Sequence, residues 1–117
     1  MSRLLCASTL LLIASSPLSA RDSIVGTWAT PGGCGKPLST IVIEPLAISG
    51  EDFFCRFTEV ERRADTVAWS GRCTFGADDS KPSRVAARLE HKRLSYRIGK
   101  GGWNGPLQRC LAPVRFP

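Results

Sequence analysis

Alternation of apolar and polar residues dominates this chain. Val67, Trp69, Cys73 and Phe75 share one parity, and Ala68, Ser70, Arg72 and Thr74 share the other. Val85, Ala87 and Leu89 oppose Arg84, Arg88 and Glu90. Leu94, Tyr96 and Ile98 oppose Ser95 and Arg97, and Phe53, Cys55 and Phe57 oppose Phe54, Arg56 and Thr58. A period of two predicts strands with one buried face. Ile24–Ala29, Thr40–Glu44 and Leu107–Leu111 are further candidate strands. No window of a dozen residues carries a 3.6 period, so helix is limited to a single turn.

The breaks between these runs have turn chemistry. Pro31-Gly32-Gly33 follows the first strand, and Ser49-Gly50-Glu51-Asp52 precedes the strand at Phe53. Arg62-Arg63-Ala64-Asp65 and Gly76–Pro82 interrupt later runs. His91-Lys92 fits a tight hairpin between Glu90 and Arg93. Gly99–Pro106 is the longest irregular stretch. Short strands at this spacing predict an all-β fold, a small antiparallel meander of six to eight strands. An open meander leaves two unpaired edges. A closed or nearly closed barrel removes them, with a sandwich as the alternative.

Residues 1–20 read as an export signal: Arg3, an apolar run through Leu10-Leu11-Leu12-Ile13, then Pro17 before small residues, with cleavage after Ala20. The run is too short to span a bilayer, so no transmembrane segment is expected. Residues 21–117 then form one domain, too small for a multi-domain enzyme cleft. Removing Cys6 with the signal leaves Cys34, Cys55, Cys73 and Cys110. An even number in a small exported chain predicts two disulfides. If the strands around residue 64 form a hairpin, opposed residue numbers sum to about 128, as Cys55 and Cys73 do. That pairing leaves Cys34 for Cys110. The other two pairings stay open, because a slip of one residue turns a cysteine outward. The cysteine gaps lack the close pairs of a zinc site.

The formal net charge is +6, and about +5 without the signal. Arg72, Arg84, Arg88 and Arg97 fall on the polar parity of three successive strands and predict one exposed basic patch. Such a patch attracts an anionic envelope component or an acidic protein. This reading places no aromatics between the arginines, which argues against sequence-specific nucleic-acid binding. The Gly99–Pro106 loop carries Trp103 beside Lys100. It is either a binding loop or a hairpin whose tryptophan folds back onto the core.

Catalytic chemistry is thin. His91, the one histidine, sits in a turn between cationic neighbours. The mature cysteines are expected to be oxidised, and no carboxylate pair can be placed across a cleft. Asp78-Asp79-Ser80 lacks the spacing of a calcium loop. Gly35-Lys36 is followed by Pro37, and Asn104 stands where a third dinucleotide-loop glycine belongs, so neither phosphate motif is complete. No cofactor or metal is expected.

Gly26-Thr27-Trp28 near the mature start and Leu107-Gln108-Arg109-Cys110 near the end resemble the calycin barrels, which include lipocalins and small bacterial protease inhibitors. The resemblance implies a structural plug: Trp28 closing one barrel end, with Arg109 as its lid. The four-cysteine layout also resembles small exported bacterial proteins with a tryptophan near the mature start and a terminal Arg-Cys, a likeness that brings no function with it. The expectation is a secreted or periplasmic non-enzymatic binding module, an inhibitor or an envelope-associated protein. The alternative is a small-ligand carrier of lipocalin-like type. Phe53, Phe57, Trp69, Phe75 and Tyr96 speak for a filled barrel over a hollow one.

Overall fold

The computed structural model describes residues 23–111. The expected signal and its cleavage site lie outside the described residues. Eight strands follow in chain order: β1 Gly26–Ala29, β2 Thr40–Glu44, β3 Ala47–Ser49, β4 Phe53–Arg63, β5 Thr66–Phe75, β6 Lys81–Glu90, β7 Arg93–Ile98 and β8 Asn104–Arg109. Each pairs antiparallel with the next, and β8 returns to β1 to close the barrel. A single 3₁₀ turn, Pro37–Ser39, precedes β2. Among the described residues, no helix is long and apolar enough to cross a membrane.

The alternating residues face where their parity sends them. Trp28, Ile43, Ile48, Trp69, Val85 and Leu94 are the largest aliphatic and aromatic side chains fully buried inside. Trp69 stacks on Phe57 with ring centroids 5.1 Å apart. Both indole N–H groups are satisfied, Trp28 donating to the Ile24 carbonyl at 2.9 Å and Trp69 to the Pro45 carbonyl at 3.1 Å. These bonds tie the segment before β1 and the β2–β3 turn across the same end of the barrel. Phe53, Phe75 and Tyr96 lie half-buried at the other end, Phe53 stacking on both rings.

Both disulfides are those favoured by the hairpin argument. Cys55 and Cys73 stand opposite one another on β4 and β5 and are fully buried. Cys34, in the turn after β1, joins Cys110 just beyond β8. The latter bond ties the two ends of the domain together.

Three element boundaries differ from the sequence reading. β3 has no counterpart in the sequence pattern, because three residues with only Ile48 buried carry too little alternation to register. β8 runs Asn104–Arg109 rather than Leu107–Leu111, so the irregular stretch ends at Trp103. β1 starts at Gly26, and Ile24 is buried before the strand begins. His91 and Lys92 do form the tight hairpin, with φ of 54° and 66°. Two successive left-handed residues give the turn whose twist matches the sheet.

The β4–β5 hairpin contains a register shift that the parity does not show. Pairs run in step from Phe53↔Phe75 to Phe57↔Gly71, then resume at Glu59↔Ser70. Thr58 is the extra residue, a β-bulge. A Cβ on Gly71 would run into the Arg56 carbonyl oxygen and the Phe57 Cα, so the close approach at the bulge requires glycine. Beyond it the parity of β4 inverts. Glu59 and Glu61 face outward with Ser70 and Ala68, in place of Thr58 and Val60.

Candidate functional site

The expected plug residues meet. Trp28 is 1% exposed, and the Arg109 guanidinium carbon lies 4.4 Å from its ring centroid. The register places Trp28 opposite Arg109 across β1 and β8. Arg109 donates from Nη1 to the Val25 carbonyl at 3.0 Å and from Nη2 to the Ser23 carbonyl at 2.6 Å. The planar fork thus covers the indole and holds the entering chain at once. This is a structural lock, and it closes that barrel end.

The barrel interior is occupied by aromatic and aliphatic side chains. At the opposite end a cleft of about 410 Å³ reaches past Phe53, Tyr96 and Leu107, with Asp52 among its bordering residues. Burial, and secondarily the charge of Asp52, push the Tyr96 phenol above its ordinary range.

The outer face of β4 to β7 has a different character. Arg72 lies opposite Pro82, Arg84 opposite Ser70, Arg97 opposite Ala86 and Arg88 opposite Ser95. Arg72 to Arg84, Arg84 to Arg97 and Arg97 to Arg88 are therefore successive diagonal steps of about 7–8 Å between Cα positions. Arg56, on β4, stands directly opposite Arg72 and extends the row to a fourth strand. Its polar parity in the sequence turns it outward, and the β4–β5 register sets it beside Arg72.

The arginines are not equivalent. Arg72 donates to the Ser80 hydroxyl at 3.1 Å and the Ser80 carbonyl at 3.0 Å, which pins it to the β5–β6 loop. Arg84 and Arg97 are exposed and pair with no carboxylate among the described residues. Arg88 is half-buried, where full exposure was expected. The cause is Trp103, whose ring centroid lies 4.2 Å from the Arg88 guanidinium carbon and 4.9 Å from that of Arg97. The Arg88 Nε is shut off from solvent and has no hydrogen-bond partner among the described residues. The ring face supplies the compensating electrostatics for the two cations.

Trp103 thus folds neither into solvent nor onto the core, but across the basic face. The loop brings Lys100 to the same region, where it borders a cleft with Arg84 and Arg97. The expectation of a face without aromatics is corrected at both ends of the row. Phe54 is 41% exposed beside Arg56, whose guanidinium carbon is 5.5 Å from the Phe54 ring centroid. Parity already turned Phe54 outward, whereas the landing place of Trp103 required the loop's tertiary path.

The cleft has a volume of about 750 Å³ and is open to solvent. Ala68, Ser70, Gly71 and Ala86 form part of its lining, so the strands lie bare of bulky side chains there. Small residues on the outer parity of two long central strands were the available sequence signal. Of the catalytic candidates the sequence offered, His91 is exposed in its turn, and the four cysteines among the described residues are disulfide-bonded. No family model, no curated protein and no solved structure matches the chain.

Proposed function

We propose that this chain is an exported, non-enzymatic binding module that engages an anionic partner through the outer face of β4 to β7. Such a partner is an acidic protein or an anionic envelope component, which suits an inhibitor or an envelope-associated protein. The observation that carries the reading is the exposed pair Arg84 and Arg97, which with Lys100 borders an open cleft. Unpaired like charges repel, so they disfavour folding slightly and call for solvation or an anionic ligand. Arginine favours carboxylate and phosphate geometry over a bare point charge. Two disulfides suit an oxidising compartment outside the cytoplasm.

A small-ligand carrier is the second reading, and the cleft at the open barrel end favours it. Phe57 and Trp69 fill the interior beneath that end, which leaves a shallow site rather than a cup.

Binding of the mature protein to heparin and to vesicles rich in phosphatidylglycerol tests the proposal across a salt series. Affinity should be measurable at low salt and fall steeply as salt rises. The Arg72→Gln, Arg84→Gln, Arg88→Gln, Arg97→Gln variant should fold and lose that affinity. Wild-type protein with no low-salt affinity for either polyanion would sink the reading.

A further inference from the structure

The face just described is not uniformly basic, and its charges are sorted. The inverted parity after the bulge sets Glu59 beside Ser70 and Glu61 beside Ala68. A second cleft, of about 490 Å³, is bordered by Glu59, Glu61 and Arg84 and shares Ala68 and Ser70 with the first. The two clefts form one trough. Carboxylates border it along β4, and Arg84, Arg97 and Lys100 border it along β6, β7 and the loop beyond.

The two walls do not pair with one another: among the described residues neither glutamate forms an ion pair with Arg84, Arg97 or Lys100. One row across the sheet reads Glu59, Ser70, Arg84, and the next reads Glu61, Ala68, Ala86, Arg97. Two strand spacings separate the charges of the first row, and three those of the second, or about 10 and 14 Å. Ser70 in the first row and Ala68 and Ala86 in the second are small and uncharged, so they leave the floor between the charges open. Among the described residues Glu59 forms no ion pair, and Glu61 pairs only with exposed Arg63 at 3.0 Å. An exposed pair of that kind is weak and easily exchanged.

A purely anionic polymer lying in the trough would meet the Glu59 and Glu61 carboxylates. A ligand carrying both signs would satisfy both walls. We infer that the trough takes an extended peptide segment of a partner protein with one acidic and one basic side chain two positions apart. Those side chains lie on one side of an extended chain about 7 Å apart, short enough to sit between the walls. The acidic side chain faces Arg84, Arg97 and Lys100, and the basic one faces Glu59 and Glu61. Polypeptides carry both charges at such fixed spacing, whereas sulfated and uronic glycans carry one sign. The barrel is closed, so the segment lies across the strands rather than adding to an edge. The inference rests on the binding reading above and names the partner's chemistry.

The test uses two variants, Glu59→Gln/Glu61→Gln and Arg84→Gln/Arg97→Gln, each checked for wild-type melting. Two blocked, dye-labelled glycine–serine heptapeptides serve as probes, one with lysine and glutamate two positions apart and one with two glutamates. Heparin and phosphatidylethanolamine vesicles complete the set. The mixed-charge peptide should bind wild-type protein more tightly than the double-glutamate peptide. It should weaken about twofold to tenfold in either variant, the range that two exposed ion pairs support. Heparin should weaken in the arginine variant and tighten in the glutamate variant.

The opposite signs separate this inference from the reading it rests on. If the glutamate variant leaves the mixed-charge peptide unchanged or tightens it, the peptide assignment falls while heparin binding stands. Glutamate dependence shown by the vesicles and not by the peptide would also overturn it. If the arginine variant leaves heparin binding intact, the basic-face reading itself falls.

Discussion

Gly71 faces Phe57 across β4 and β5 at the last in-step pair before the register shift. Its missing Cβ leaves room for the Arg56 carbonyl oxygen, into which any side chain at this position would run. The bulge that follows inverts β4 and brings Glu59 and Glu61 onto the arginine face. The close approach that Gly71 permits therefore adjoins the inversion that sets Glu59 and Glu61 beside the trough.

Gly71→Ala should destabilise the protein by about 1–3 kcal/mol, the usual cost of forcing an extra carbon into a packed site. Urea unfolding measures it. A variant as stable as the parent would show that the two strands do not approach so closely.

The lock at the other end gives a graded series. Trp28→Ala should cost about 3–5 kcal/mol, as removal of a fully buried aromatic does. Arg109→Lys should cost less, about 1–2 kcal/mol, because a lysine keeps the charge but cannot cover the ring and reach both Ser23 and Val25 carbonyls. Thermal and urea unfolding of both variants check the order. Equal stability of the lysine variant and wild type would refute the role of the guanidinium fork.

The disulfides should stabilise unequally. The chain-entropy model values the Cys55–Cys73 loop at roughly 3 kcal/mol and the longer Cys34–Cys110 loop at roughly 4.5 kcal/mol. Paired Cys→Ser variants compared in urea should follow that order. Non-reducing peptide mapping should recover both linkages, and a Cys34–Cys55 peptide would contradict the barrel register.

Tyr96 is the chain's one tyrosine, so its ultraviolet titration is unambiguous. Burial first, and then the Asp52 carboxylate, raise its midpoint above 10.0. Asp52→Asn should lower that midpoint only partway, since burial is the larger cause. The folded phenol holds its proton more tightly than the unfolded chain does. Stability linked to Tyr96 is therefore flat below the ordinary tyrosine range and falls as pH rises from there through the folded value. A midpoint at or below 10.0 in the folded protein would contradict the half-buried placement at the barrel mouth.

Much of this architecture was already legible in the order of residues. Alternation at Val67, Trp69 and Cys73, and again at Val85 and Ala87, fixed the strands and their inner face, because a period of two permits no other half-buried element. The near-symmetry of Cys55 and Cys73 about residue 64 pointed to one disulfide and left the other by remainder. Arg72, Arg84, Arg88 and Arg97 shared a parity, and parity alone put them on a common side. Tertiary structure decided the rest. Parity cannot reveal a bulge, because one extra residue inverts everything after it, and so Glu59 and Glu61 were invisible as partners of the arginines. A glycine-rich loop has no period at all, so only the packed fold could lay Trp103 across Arg88 and Arg97. The closure of the barrel rests on pairing between β1 and β8, two segments at opposite ends of the sequence, and no local pattern encodes a contact of that range.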